Sequence, residues 1–335
     1  MTTDHNWLAQ VDEAPIETDI PIIDPHHHLM HRPPDVKYIL EDIVADTAGN
    51  NVRQTVFIQA SGMQNPNETS PFRFVNETKW VEAIAVQSAS GYWGPTRVAT
   101  GIVGHAPLSL GDDVAPILEA HLQASPSRFR GIRDSTWWTN PPVRDQTRQR
   151  EGMLQDPKYR RGFELLKRYG LSYEAWLFHP QIAELTAFAR DFPDQTIILN
   201  HLAGPLGVGA WEGKRDEVWA AWAPAITELA TCENVVVKVG GLGMGYLNGL
   251  GFEKRPKPPT SDEMLEVTGP WYSHIIEAFG PSRCMFESNF PPDKSSSSYT
   301  VLWNSFKKLT KSYSASERAD MFHDVAMRTY RLERI

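Results

Sequence analysis

The stretch IPIIDPHHHLMH, residues 20–31, places four of the chain's eleven histidines directly behind an apolar run. In an extended strand alternate residues share a face, so His26 and His28 project together, Asp24 joins them, and His27 points the other way. Two imidazoles on one face at the carboxyl end of a strand can ligate one divalent ion through neutral ring nitrogens. An isolated His-x-His also suits a surface or packing role, so its meaning depends on what the rest of the chain builds around it.

Working outward from PIIDPHHHL (21–29), the same kind of β-branched run recurs at RQTVFIQA (53–60), RVATGIVGHA (97–106), RFRGIRDS (128–135), LSYEAWLFH (171–179), TIILNHL (196–202), NVVVKVGG (234–241) and RCMFESNF (283–290). Continuous apolar runs suit strands covered on both faces. Helical spacing fills most of the gaps, at 77–90, 114–124, 159–170, 181–192, 220–232 and 272–280. The count predicts an α/β fold, a (β/α)8 TIM barrel, with a doubly wound open sheet as the alternative. The dinucleotide fingerprint GxGxxG is absent from the first strand-to-helix turn, and GGLGMG (240–245) fits either a flexible active-site loop or a tight turn. The longer loops, 61–75, 135–158, 203–217, 241–268 and 289–299, all follow strands, on the face where barrel enzymes build their sites. No linker separates two composition regimes, so residues 19–335 read as one catalytic domain behind an N-terminal arm over 1–18.

Composition narrows the classes. At 41% hydrophobic and 22% charged, the 335 residues match a globular chain with a substantial core. A net charge of −8 argues against nucleic acid as a partner. No apolar run is long enough for a membrane span, and the polar, acidic N-terminus lacks the pattern of a secretory signal. Cys232 and Cys284 cannot frame a disulfide scaffold, and the cytoplasm is the expected compartment. The expected partner is a small-molecule substrate, with no nucleic acid and no membrane; a homo-oligomer is compatible with all of this.

Further histidines fall at comparable places: His105, His179 and His201 close the third, fifth and sixth runs. In a barrel they would converge on one mouth with His26 and His28. With these residues in view, DPHHHLM, NHLAGP and FESNFPPDK, in that order at the ends of the first, sixth and eighth strands, resemble the amidohydrolase superfamily, in its amidohydrolase-2 branch of metal-dependent TIM-barrel hydrolases. The resemblance runs from about Ile20 to Arg334. It implies lactone hydrolysis or non-oxidative decarboxylation of aromatic or unsaturated acids, with zinc, with manganese or without metal. Carried over, it makes His26, His28 and His179 metal ligands and His201 the acid or base. The eighth strand departs from the usual G-S-D-x-P: here Glu287-Ser288-Asn289-Phe290-Pro291 puts Asn289 where an aspartate is expected.

An amide neither accepts a proton nor supplies ligand charge at neutral pH, which weakens both tight metal binding and aspartate-assisted water activation. Glu287 shares the face of Asn289 and either supplies the missing charge or pairs with Lys238 or Arg133. Arg133 suits a carboxylate clamp or an ion pair with Asp134 or Glu287. Lys238, inside an apolar run, must be paired or reach a polar cavity. Gln181 and Glu174 are weaker candidates. Adjacent Trp137 and Trp138 cannot both fill one core, so at least one faces a pocket or another subunit, and an apolar or aromatic substrate would follow.

The reading reached from the sequence is a hydrolase of a lactone, ester or related acyl bond in a carboxylated, partly apolar or aromatic small molecule. Its expected catalytic set is His201, Asp24 and Asn289, with Arg133, Trp137, Trp138, Lys238 and Gln181 around the substrate. One divalent ion, zinc or manganese, would activate water; without it, His26, His28 and Arg133 would stabilise the oxyanion. The alternatives are a non-oxidative decarboxylase and a non-catalytic ligand-binding barrel.

Overall fold

The computed structural model describes residues 4–32, 36–63, 67–147 and 149–335. Eight parallel strands run in chain order around one sheet: β1 (Ile22–His27), β2 (Val52–Ile58), β3 (Arg97–Gly104), β4 (Phe129–Ile132), β5 (Ser172–Ala175), β6 (Ile197–Leu199), β7 (Val235–Val239) and β8 (Cys284–Phe286). Helices lie in the gaps between them, giving the (β/α)8 barrel that the spacing of the apolar runs predicts.

The period of two decides which side chains go where. Ile23, Val56, Ile58, Val103, Ile198 and Met285 point inward, where Tyr330 and Leu332 of the C-terminal segment cap them. Their neighbours Ile22, Phe57, Ile102, Ile197 and Leu199 point outward against the helices. Both faces are therefore dry, which is why the strands read as unbroken apolar runs.

Closure of the ring is local to the motifs. Beyond the end of β8, Phe290 bridges to His27, the His28 amide donates to the Phe290 carbonyl (2.7 Å), and the Asn289 amide donates to the His26 carbonyl (2.9 Å). The histidine-rich strand and the FESNFPP segment are thus hydrogen-bonded neighbours, although some 260 residues apart in sequence.

Three elements differ from the sequence expectation. The helix expected at 272–280 begins at Ser261, because Thr260 and Glu263 form a reciprocal cap and Pro270 is accommodated within the helix. A helix over Tyr299–Leu309, capped by Ser298, falls outside the expected helical segments. A small antiparallel ribbon, Met30–Arg32 with Val36–Tyr38, follows β1. In the N-terminal arm, Glu13 accepts hydrogen bonds from Ser261 and Asn304, which pins it to the barrel wall. Among the described residues no helix is long and apolar enough to cross a membrane.

Candidate active site

The first strand carries one extra residue before its histidines. Asp24 pairs with Thr55 and His27 with Phe57, so three steps on β1 match two on β2. This bulge resets the alternation, and the side chains on either side of Pro25 fall on opposite faces. Asp24, expected beside His26, instead points out of the barrel, accepting from the amides of His26 (3.2 Å) and Ser288 (3.0 Å) and from the hydroxyl of Tyr299 (3.0 Å). It is a structural acceptor, not a base at the reaction centre. His26 and His28 do face inward, and His27 turns out to bond Thr55 Oγ1 (2.8 Å).

At the barrel mouth a single carboxylate links two strand ends. Glu287 lies 2.7 Å from His26 Nδ1 through Oε2 and 2.7 Å from His201 Nδ1 through Oε1, and the His201 amide donates to Oε1 at 3.3 Å. The His26 ring centroid lies 4.4 Å from that of His201 and 4.9 Å from that of His28. His28 bonds the Ile58 carbonyl through Nδ1 (2.8 Å), so that nitrogen carries the proton and Nε2 keeps its lone pair.

Two cations close the cluster from below and from the side. Lys238 reaches His26 Nδ1 at 3.2 Å and pairs with Glu174 at 2.8 Å, both side chains being fully buried. Glu174 is held in turn by Tyr330 and Asn200. Arg133 places Nη1 3.3 Å from His26 Nε2 and donates Nη2 to the Gln59 carbonyl. Arg133 and Lys238 can only donate, so His26 meets a cationic donor at each ring nitrogen, with Glu287 Oε2 lying beside Nδ1 as well.

Burial sets the charge states. It pushes His26, His28 and His201 well below the ordinary imidazole range, aided for His26 by Lys238 and for His28 and His201 by Arg133. The three rings are neutral, as ligands or bases must be. Burial pushes the Glu287 carboxyl up to about 8, with Lys238 pulling it back.

The backbone around His201 is unusual. His201, Leu202 and Ala203 all have positive φ (51°, 57° and 59°), a left-handed run that costs free energy and persists only where its surroundings hold it. Two glycines of the GGLGMG segment make the room: a Cβ on Gly241 would lie 2.3 Å from His201 Nδ1, and one on Gly240 would lie 2.5 Å from Glu287 Cγ. The segment is thus a close approach of backbone to the two central side chains.

Other expected residues sit differently. His179 accepts from the Leu206 amide (3.3 Å) and packs on Trp211, so the group whose ligand atoms lie within 4.8 Å of one another is His26, His201 and Glu287 rather than His26, His28 and His179. Gln181 uses Oε1 on the Trp138 amide (2.8 Å) and Nε2 on the Thr136 carbonyl (2.8 Å), which occupies both ends of its amide. It therefore pins the loop after β4 and is not free for a substrate. Lys238 is committed to Glu174 and His26. Trp137 packs with Trp176, Phe178, Leu206, Met244 and Leu247 in an aromatic wall whose Trp176 edge meets the His201 ring at 4.7 Å, while Trp138 is half-buried.

Asn289, at φ 51°, points its Nδ2 at Asp293 Oδ1 (3.0 Å), and the other Asp293 oxygen accepts from the Gly243 amide (3.1 Å). Burial pushes the Asp293 carboxyl well above its usual range. Sequence reasoning missed Asp293, although it stands in FESNFPPDK four residues beyond Asn289.

Two imidazoles and a carboxylate are a suitable donor set for one divalent ion, and their span fits one. The neutral rings favour it; the neighbouring guanidinium and ammonium oppose it by charge.

A family model described as amidohydrolase matches residues 23–332. An uncharacterized protein, y4mH, of Sinorhizobium fredii is 34% identical, with 94% of this chain and all of that protein aligned. An L-fucono-1,5-lactonase of Burkholderia ambifaria is 28% identical over 65% of each chain. A crystal structure of an amidohydrolase from Burkholderia multivorans with bound zinc superposes with a TM-score of 0.72 at 21% identity, covering 93% of this chain and all of that one.

Proposed function

Because the chain belongs to the amidohydrolase family, we propose that this hydrolase opens a lactone, or a related ester, of a carboxylated small molecule with an apolar or aromatic face. The observation that carries the reading is the bridge from Glu287 to both His26 and His201. Once ionised, Glu287 accepts the Nδ1 proton of His201 and leaves Nε2 as the base, the arrangement by which a carboxylate fixes the tautomer of a catalytic imidazole. The similarity to an L-fucono-1,5-lactonase supports lactone chemistry over other acyl transfers.

His201 Nε2 takes a proton from water as the water oxygen attacks the acyl carbon. The Arg133 guanidinium, a fixed charge beside His26, stabilises the oxygen that becomes negative or orients the substrate carboxylate. As the ring C–O bond breaks, the proton held by His201 passes to the departing alkoxide, leaving a hydroxy acid. The Trp137 and Trp176 wall excludes water and receives the apolar face. A divalent ion held by His26, His201 and Glu287 would add Lewis-acid polarisation of the carbonyl and a lower pKa of water.

The test is a panel of aldonolactones and aryl lactones, followed by acid release with a pH indicator, alongside aromatic carboxylic acids followed by CO₂ release. Acid release from lactones, lost in His201→Ala, is the expected result. CO₂ release without lactone opening would replace this reading with decarboxylation.

A further inference from the structure

The opposite end of the barrel holds a second cluster of charge, away from the histidines. Gln54 at the start of β2, Arg97 at the start of β3, and Arg128 and Arg130 around the start of β4 line one cavity of about 260 Å³. Of these cations only Arg128 is ion-paired, with Glu82. Among the described residues, Arg97 and Arg130 have no carboxylate within 4.0 Å. They bond backbone carbonyls instead: Arg97 those of Gly94 and Pro95, Arg130 those of Phe129 and Ser127. Burial depresses the basicity of Arg130, the neighbouring Arg331 adds to this, and Glu333, which lines the same cavity, partly offsets it. Converging guanidinium groups repel one another, and in a chain of net charge −8 their collection in one hollow is conspicuous.

Two buried polar atoms there lack partners, and they ask for opposite things. Arg130 Nε is a donor with no acceptor. Gln54 is 1% exposed, and its Nε2 donates to the Glu333 carbonyl (2.9 Å), which fixes the amide orientation and leaves Oε1 as an unused acceptor. A buried unsatisfied group of this kind costs ~1–3 kcal/mol. Sulfate, which carries no proton at neutral pH, satisfies the arginines only. A ligand carrying both a carboxylate and a hydroxyl satisfies the arginines and Gln54 together, and Ala85, Ala89 and Val98 offer it an apolar side.

We propose that this cavity is a second binding site, for a small hydroxylated carboxylate. The carboxylate lies between Arg97 and Arg130, and a hydroxyl donates to Gln54 Oε1. The site stands on its own geometry and does not depend on the reaction at the histidine end.

Calorimetric titration of the full chain with sodium gluconate, in parallel with sulfate and with chloride at matched ionic strength, tests it. Saturable gluconate binding is expected, weakened at least tenfold in Arg97→Gln and in Arg130→Gln, and retained in His201→Ala. Gln54→Leu should weaken gluconate and leave sulfate unaffected. Ala89→Glu, at an exposed position, places a carboxylate in the cavity and should abolish binding in a chain that still unfolds cooperatively; it serves if an arginine variant fails to fold. Absence of saturable gluconate binding overturns the proposal. So does binding that is lost in His201→Ala but kept in Ala89→Glu, or sulfate binding as tight as gluconate and indifferent to Gln54.

Discussion

Replacing Glu287 with glutamine removes one charge and changes almost no volume, so it isolates what the carboxylate does. Ionised Glu287 accepts through Oε1 from His201 Nδ1 at 2.7 Å and from the His201 amide at 3.3 Å, while Oε2 lies 2.7 Å from His26 Nδ1 without a hydrogen bond. A glutamine has one acceptor oxygen and one amide donor. With the oxygen towards His201 the ring keeps its proton on Nδ1, but no charge remains to stabilise the imidazolium that forms when Nε2 takes a proton from water. With the amino group towards His201 the ring proton moves to Nε2, which can then no longer accept one. Loss of an orienting carboxylate in this way costs ~10⁴-fold in kcat, or about 5 kcal/mol of transition-state stabilisation at ~1.4 kcal/mol per decade. The assay is kcat/KM for the best lactone on the alkaline side of neutrality, where the raised Glu287 carboxyl gives up its proton, with spontaneous hydrolysis subtracted. Urea unfolding of the same variant controls for the fold. A folded Glu287→Gln protein within tenfold of wild type would refute the role given to the carboxylate.

Lys238→Met leaves Glu174 as an unpaired buried charge and should destabilise by ~3–5 kcal/mol; the double variant Lys238→Met, Glu174→Gln should recover part of this in urea unfolding. Gly241→Ala places a methyl 2.3 Å from His201 Nδ1 at φ +75° and should lower kcat more than tenfold, with a smaller shift in the unfolding midpoint. His121, bonded to Thr78 and to the His105 carbonyl, has its pKa lowered by burial from 6.5 to about 4. The fold therefore keeps it neutral while the unfolded chain protonates, so its contribution is full above pH 6.5 and is lost as pH falls to 4, by about 3 kcal/mol. The stability gap between wild type and His121→Gln should narrow over that range in urea titrations. Asn289→Asp sets a carboxyl 3.0 Å from Asp293, and should lower the melting temperature in chelator and recover it with added zinc, if the His26, His201 and Glu287 group holds the ion.

What the sequence discloses and what it hides follow from the range of the interactions involved. The barrel is legible because each strand is an apolar run dry on both faces, a property of contiguous residues such as Ile197, Ile198 and Leu199. The inward pair His26 and His28 is legible for the same reason, and the family motifs point to His201. Asp24 is misplaced because the alternation rule assumes an uninterrupted ladder; the extra residue is visible only as a mismatch with β2, a partner some thirty residues away. His179 and Gln181 look equally available in sequence, and only the loop amides that claim them show otherwise.

Glu287 gives the reverse lesson. In sequence the loss of aspartate at 289 looks like the loss of the site's anionic charge, because the motif is read at one position. In the fold that charge lies two residues earlier and deeper, with Gly240 and Gly241 clearing the space for Glu287 and His201. Asn289, freed from that task, is turned by its left-handed backbone to tie Asp293, which anchors the amide of Gly243 in the same glycine segment. An aspartate at 289 would face Asp293 with two carboxyl groups and one proton to share, so the asparagine and the displaced glutamate belong together. The substitution that weakens the family reading in sequence is, in this barrel, the counterpart of a buried carboxylate held one layer down between His26 and His201.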